Sequence, residues 1–256
     1  MRIIDWNICY SGDIEKKIEY LKTFLTDESI VIMQEVRLYA YEYIKKMLQG
    51  KYNLVYSLDY RKPSKYDSEA RRLGILIVVS NKFLIKESGV VERSLFPDRT
   101  AFASIEANGK IIKVLAAHSL TGCAYYRAKS IQFDSLSEFI DDYCPDIVGI
   151  DANEPRIDHY DVKQMDFYSN GYGAETFFNK MIDIGLVDSY VKHKGVCIYE
   201  QGSPLAKSYN VRTKGAVRYD FLFVRESYKI NSCSYYYDDA TKAGSDHAII
   251  ISDIEV

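Results

Sequence analysis

The 256-residue chain has no excess of positive charge: 33 lysines and arginines against 36 aspartates and glutamates leave a formal net charge of −3. A polyanion-binding protein usually carries a basic face, so phosphate binding here has to rest on local groups or a bound metal. Long apolar runs are also missing, and no stretch approaches the roughly 18 apolar residues of a membrane-spanning helix, so no membrane partner is expected. The opening MRIIDWNICYSGD has no cationic segment followed by an apolar one and no small-residue cleavage site, so it does not read as a secretory signal. Cysteine is sparse: Cys9, Cys123, Cys144, Cys197 and Cys233 are odd in number, widely spaced and without a CxxC pair. That argues against a disulfide framework or a zinc site, and a reducing, cytoplasmic location is the simplest expectation. What remains, 47% hydrophobic and 27% charged residues, is the composition of a folded globular chain. One domain spanning residues 1–256 is the expectation at this length.

Short apolar runs rich in β-branched residues read as strands: Arg2 to Ile8, Ile30 to Gln34, Leu73 to Ser80, Ala101 to Ala107, Ile111 to Ala117, Asp146 to Ile150, Val217 to Val224 and Ala248 to Ile254. Ile14, Ile18, Leu21 and Leu25 fall at helical spacing behind Asp13 as an N-cap, and Leu136, Phe139, Ile140 and Tyr143 do likewise. Further helices are expected near Tyr39 to Leu48 and Ala174 to Ile184. Strands outnumber helices and are interrupted irregularly, which favours an α/β (α+β) sandwich of two packed mixed sheets flanked by helices. The segment Asp59 to Arg72, polar and containing Pro63, reads as a long exposed loop, with five basic residues against three acidic ones.

Rare polar residues stand at the ends of these strands: Asn7, Glu35, His118, Asp151 with Asn153, Asp220, and Asp246 with His247. Any one of them alone reads as a turn residue, a cap or a satisfied rim side chain. Asp220 is the hardest to set aside, because a carboxylate inside an apolar strand needs a partner. Taken together they supply what phosphate-ester hydrolysis requires. Glu35 and Asn7, with one or more of Asp151, Asn153 and Asp246, are hard oxygen donors suited to Mg²⁺ or Mn²⁺. His247, with Asp220 available to hold its ring, and His118 titrate near neutrality.

The segments MRIIDWNI, IVIMQEVR, VLAAHSL, GIDANEP, VRYDFLFV and GSDHAII resemble, in order and across residues 1 to 251, the motifs of the deoxyribonuclease-I-like endonuclease/exonuclease/phosphatase family. The resemblance implies a four-layer α/β sandwich with its active site at one rim. It implies Glu35 as principal metal ligand, Asn7 beside it and Asp246 on a second ion. Asp151 would align or deprotonate the attacking water, Asn153 would bond the scissile phosphate, and His247 oriented by Asp220 would act as base or stabilise the transition state. One departure is visible: the glycine that usually precedes the aspartate directly is Ile150 here, with Gly149 one residue earlier.

His118 is similar to the histidine of deoxyribonuclease I, sphingomyelinases, tyrosyl-DNA phosphodiesterases and deadenylases, which lowers the rank of abasic-site cleavage. Its expected role is general acid, since an ordinary imidazole titrates at a pKa near 6.5. Arg37, in a Glu-Val-Arg like that of deoxyribonuclease I, is a candidate DNA contact, and Tyr125 and Arg127 are candidates to stack on a base or clamp a phosphate. His159 and His193 match no motif and read as surface or structural. The favoured activity is a DNA nuclease. The alternatives are a phosphatase or phosphodiesterase on a small-molecule or lipid phosphate, and a catalytically inactive binding module, which the intact residue set opposes.

Overall fold

A computed structural model describes residues 1–121, 126–168 and 173–256, with the side chains of residues 126 and 198 left aside. In chain order the elements begin β1 (Arg2–Asn7), α1 (Ile14–Lys22), β2 (Ser29–Val36), α2 (Leu38–Leu48), β3 (Tyr52–Tyr56), α3 (Ser57–Tyr60), β4 (Gly74–Ser80), β5 (Leu84–Gly89), β6 (Thr100–Ala107) and β7 (Lys110–His118). They continue with α4 (Tyr126–Tyr143), β8 (Ile147–Asp151), α5 (Ala174–Asp183), β9 (Leu186–Asp188), α6 (Ser189–Lys194), β10 (Tyr209–Val211), β11 (Gly215–Val217), β12 (Asp220–Arg225), β13 (Lys229–Tyr236), α7 (Tyr237–Ala243) and β14 (Ile249–Glu255).

Two six-stranded mixed sheets form, in the orders β13-β14-β1-β2-β4-β3 and β5-β6-β7-β8-β12-β9, with β10 and β11 as a separate hairpin. Each sheet is built around one parallel pair, β1 with β2 and β7 with β8. The alternation of side chains along a strand decides which core each residue joins. Ile3, Ile30, Ile32, Val114, Ala116 and Ile147 meet between the sheets. Their neighbours Ile4, Val31 and Met33 pack outward under α1 and α2, with Ile18, Leu21, Tyr41 and Ile44. On the other outer face, Leu115, Val148 and Ile150 pack under α4 and α5, with Phe133, Leu136 and Phe177. The layers therefore run helix, sheet, sheet, helix.

Several boundaries differ from the sequence expectation. Asp13 does cap α1, its side chain accepting from the Glu15 N–H at 2.9 Å. The run Val217 to Val224 is not one strand, because Arg218 and Tyr219 separate β11 from β12. At that break the Arg218 guanidinium is fully buried between Asp158, at 2.9 Å, and Asp188, at 2.5 Å. The segment Asp59 to Arg72 is exposed but tied down: Arg61 pairs with Asp67 at 2.7 Å and Arg71 with the buried Asp98 at 2.6 Å. His159 is structural, its Nδ1 accepting from the Asp161 N–H at 2.9 Å beneath Tyr160 and Tyr199.

Candidate active site

The topology sends four polar strand ends to one rim. The parallel pairs end there in Asn7 and Glu35 of the first sheet and in His118 and Asp151 of the second, where His118 and Asp151 are register partners. The antiparallel neighbours begin at the same rim: β12 opens with Asp220 opposite Asp151, and His247 lies just before β14. Residues up to 240 positions apart thus converge on a cleft of about 430 Å³. Glu35, His118, Asp151, Asn153, Asp246 and His247 line this cleft, and Asn7 and Asp220 stand behind them.

Asp151 is the hub. Its Oδ2 accepts from Asn7 Nδ2 at 2.9 Å and lies 3.5 Å from His118 Nε2 and 3.9 Å from His247 Nε2, while Oδ1 accepts from the Asn153 N–H at 3.1 Å. Burial and the charge of Asp220 push its pKa up to about 7, against the pull of His247, Asn7 and Asn153. His247 Nδ1 lies 2.9 Å from Asp220 Oδ2. Burial alone would lower its pKa, but Asp220, Asp151 and Asp246 lift it to about 10, so the ring is a cation at neutral pH. Tyr209 stacks on it with centroids 4.6 Å apart.

His118 is the opposite case. Burial, followed by the charge of Arg99, holds its pKa well below the ordinary imidazole value. Arg99 Nη1 lies 3.2 Å from His118 Nδ1 and 3.3 Å from Nε2. A ring that is neutral at pH 7 is a poor general acid, so the electrostatics oppose the role expected from an unperturbed histidine.

Glu35 reaches the cleft through a backbone irregularity. On strand parity it belongs on the outward face with Met33, but β2 carries an extra residue against β4 between Met33 and Val36, and Glu35 sits at φ 59°. The bulge turns its carboxylate inward, where Oε2 accepts from the Tyr10 N–H at 3.0 Å and Oε1 lies 3.8 Å from His118 Nε2. Asn153 is likewise at positive φ, 47°, and its amide donates to the Ser119 carbonyl at 3.3 Å. The buried Lys129 ammonium donates to the Asn153 carbonyl at 2.7 Å and lies 2.9 Å from Glu154, which fixes that turn from below.

Several site residues escaped the sequence reading. Arg99 follows a turn and looks like a loop residue in sequence. Ser119, Ser208 and Ser245 are buried hydroxyls; Ser119 and Ser245 lie within the VLAAHSL and GSDHAII segments without an assigned role, and Ser208 lies in none of the segments. Ser245 Oγ donates to the Asn7 carbonyl at 2.7 Å and accepts from the His247 N–H at 3.1 Å; Ser208 Oγ accepts from the Tyr219 and Asp220 N–H groups at 2.8 and 3.1 Å. Asp5 carried a usable signal, since Ile3, Asp5 and Asn7 share one strand face. Its carboxyl is fully buried under the site, accepts from Gln34 Nε2 at 2.7 Å, and is held by burial well above the usual carboxylate pKa. A Cβ on Gly149 would lie 2.6 Å from Asp5 Oδ1 and 2.7 Å from Ile32 Cδ1. Gly149 therefore leaves room for Asp5 beside β8.

Of the remaining candidates, Arg37 does not line the cleft but stacks at its edge, 4.6 Å from the Tyr10 ring centroid. Arg127 is exposed on the first turn of α4 and is not among the described residues lining the cleft. Tyr125 lies outside the described residues. Lys214, on the β10–β11 hairpin, brings a cation to the cleft wall and donates to the Tyr168 hydroxyl at 3.0 Å.

No family model and no curated protein matches the chain. Solved structures do. The endonuclease/exonuclease/phosphatase from Bacteroides vulgatus is similar at 17% identity over 100% of this chain and 98% of that one, with a TM-score of 0.69. The 3′ phosphatase NExo from Neisseria, bound to a product DNA hairpin, aligns over 100% of both chains at 17% identity and a TM-score of 0.67. The human Nocturnin catalytic domain with a bound sulfate anion aligns over 100% of this chain and 94% of that one at 14% identity and 0.69. Over its whole length the chain has the endonuclease/exonuclease/phosphatase fold.

Proposed function

We propose that the protein hydrolyses phosphodiester bonds, with DNA as substrate, at the rim cleft. The observation that carries this reading is the placing of Asp151, with a pKa near neutrality, between a cationic His247 and a neutral His118, opposite Glu35. Asp151 serves to take the proton of the attacking water, since its pKa of about 7 suits a base working near neutrality. His247, fixed by Asp220, and Arg99 beside His118 supply positive charge where the pentacovalent phosphorus gathers negative charge. Asn153 keeps one amide hydrogen for a phosphoryl oxygen, and His118 acts as a neutral hydrogen-bond donor.

The donor set fits a hard divalent cation. Glu35 and Asp246 face the cleft with oxygen donors only, and no described cysteine lines it apart from Cys9. Mg²⁺ or Mn²⁺ would be held by Glu35, with Asn7 and Asp246 contributing, and when bound it would offset charge on the phosphate and its leaving oxygen. Asn7 is already held at both ends, its Oδ1 accepting from the Cys9 N–H at 2.9 Å, so only the second lone pair of that oxygen is open to a cation.

The DNA assignment draws support from the Neisseria relative, which holds a DNA product. The competing reading, a phosphatase for a small-molecule or lipid phosphate, draws on the net charge of −3. The deciding experiment incubates the protein, with Mg²⁺ or Mn²⁺ and with chelator, on supercoiled plasmid, single-stranded DNA, RNA, an abasic duplex, sphingomyelin and inositol phosphates. Metal-dependent cleavage of DNA is the expected result. Phosphate release from a small ester with DNA left intact would overturn the DNA reading in favour of the phosphatase.

A further inference from the structure

One lysine of α1 lies where an apolar residue is the rule. Ile18 and Leu21 bury the inner face of this helix, and Lys17 is buried with them, its residue only 1% exposed. Lysine is almost never buried so far without partners. Its ammonium donates to the Cys9 carbonyl at 2.8 Å and to the Ser11 carbonyl. Methionine would fill the same space without taking a charge out of water, so packing alone gives no reason for a lysine here.

The two carbonyls that Lys17 holds flank Tyr10, in a turn with two residues at positive φ, Cys9 at 54° and Gly12 at 86°. The N–H groups of this turn face the residues that would bind a cation. Cys9 N–H donates to Asn7 Oδ1 at 2.9 Å, and Tyr10 N–H donates to Glu35 Oε2 at 3.0 Å. On its other side the turn packs against the end of α7: a Cβ on Gly12 would lie 3.3 Å from the Gly244 carbonyl oxygen and 3.5 Å from Lys17 Nζ, and a Cβ on Gly244 would lie 3.4 Å from Lys17 Cε. Gly244 stands two residues before Asp246. One buried ammonium thus braces the backbone that contacts Asn7 and Glu35 and leads to Asp246.

We propose that Lys17 is a positioning residue of the cation site, its ammonium clamping the Cys9–Gly12 turn so that the turn holds Glu35 and Asn7 in place. The inference rests on the metal-dependent phosphodiesterase reading and deepens it. Two effects of opposite sign meet at this residue. Burial lowers the Lys17 pKa, while Asp246 and Glu35 are among the negative groups that pull it back up, so the same charge that these carboxylates feel also repels a divalent cation. The clamp acts the other way, because ligands held in place by their own hydrogen-bond partners bind metal about 10–100-fold better than ligands that have lost them. The direct bonds to the turn make the clamp the larger effect.

The test measures Mn²⁺ binding from the free-ion signal in electron paramagnetic resonance, without substrate. Lys17→Met should raise the dissociation constant about tenfold and leave the metal-free Tm nearly unchanged, since methionine occupies the space. Gly12→Ala keeps the ammonium but shifts the turn, and should raise the constant by roughly threefold. A constant unmoved in Lys17→Met would make the lysine a packing residue, and a lowered one would make its charge the larger effect; either result overturns the proposal. Should Lys17→Met not fold, an unmoved constant in Gly12→Ala overturns it instead, and so does a lack of Mn²⁺ binding by the unmodified protein. Turnover of bis(p-nitrophenyl) phosphate by the unmodified protein reports on the phosphodiesterase reading separately. Turnover with Mn²⁺ binding indifferent to Lys17 leaves that reading standing and removes the clamp; binding that depends on Lys17 without turnover does the reverse.

Discussion

At the scale of single residues, the two histidines show how position overrides reference chemistry. Both sit beside Asp151, yet His247 faces Asp220 and is cationic, and His118 faces Arg99 and is neutral. If His118 were the acid, removing it would hurt a poor leaving group far more than a good one. A neutral donor to the phosphoryl group predicts otherwise: His118→Ala should lower turnover of a DNA diester and of a p-nitrophenyl diester by a similar factor, on the order of 10². A loss confined to the DNA diester would restore the general-acid role. A second expectation concerns Asp5 and Gly149, which occupy one small space. Gly149→Ala should destabilise the protein by about 1–3 kcal/mol through overpacking. Adding Asp5→Ser should recover part of it, because the shorter side chain vacates the atom that the new methyl meets. Additive losses in a denaturant series would show that the two positions do not share that space.

At the scale of elements, the strand ends were legible in the sequence because apolar runs stop at polar residues and parity assigns faces. Eight strands could be located that way, seven of them nearly to their ends. The pieces that were not legible lack that contrast. β5 and β13 are edge strands half open to solvent, and their mixed residues carry no clean alternation. α6 and α7 span six and seven residues, too short for a helical period to show. The bulge in β2 was also invisible, since nothing in IVIMQEV marks Glu35 as left-handed. That conformation yields a prediction. A non-glycine residue near φ 59° costs about 1–2 kcal/mol, which glycine does not incur. Glu35→Gly should therefore unfold at a higher temperature than Glu35→Ala, by the equivalent of about 1 kcal/mol, reversing the usual order within a strand. Alanine being the more stable of the two would mean that the bulge relaxes when the carboxylate is gone, and that Glu35 itself holds it.

At the scale of the whole molecule, charge is distributed against function unless something else binds. The chain has no net positive charge, and the rim gathers Glu35, Asp151, Asp220 and Asp246 against the His247 imidazolium, Arg99 and Lys214. Like charges gathered at one rim repel, and the fold tolerates this because rigid strands from both sheets fix their positions. On the proposed reading, a divalent cation would relieve the repulsion and would bind only the folded arrangement, since the unfolded chain scatters Asn7, Glu35 and Asp246 along its length. Mass action then makes the cation a stabiliser, by about 2.7 kcal/mol at a hundred times its dissociation constant. For a chain of this length that corresponds to a rise in Tm of roughly 5 °C or more. Mg²⁺ or Mn²⁺ should therefore raise the Tm of the intact protein, chelator should return it to the starting value, and Glu35→Gln should remove most of the rise without lowering the metal-free Tm. This readout needs no substrate and so separates the metal site from the choice among DNA, RNA and small esters. An equal rise in Glu35→Gln would move the cation away from Glu35, toward Asp246 or the buried group of Asp151, Asp220 and His247, whose ligand atoms lie within 4.8 Å of one another.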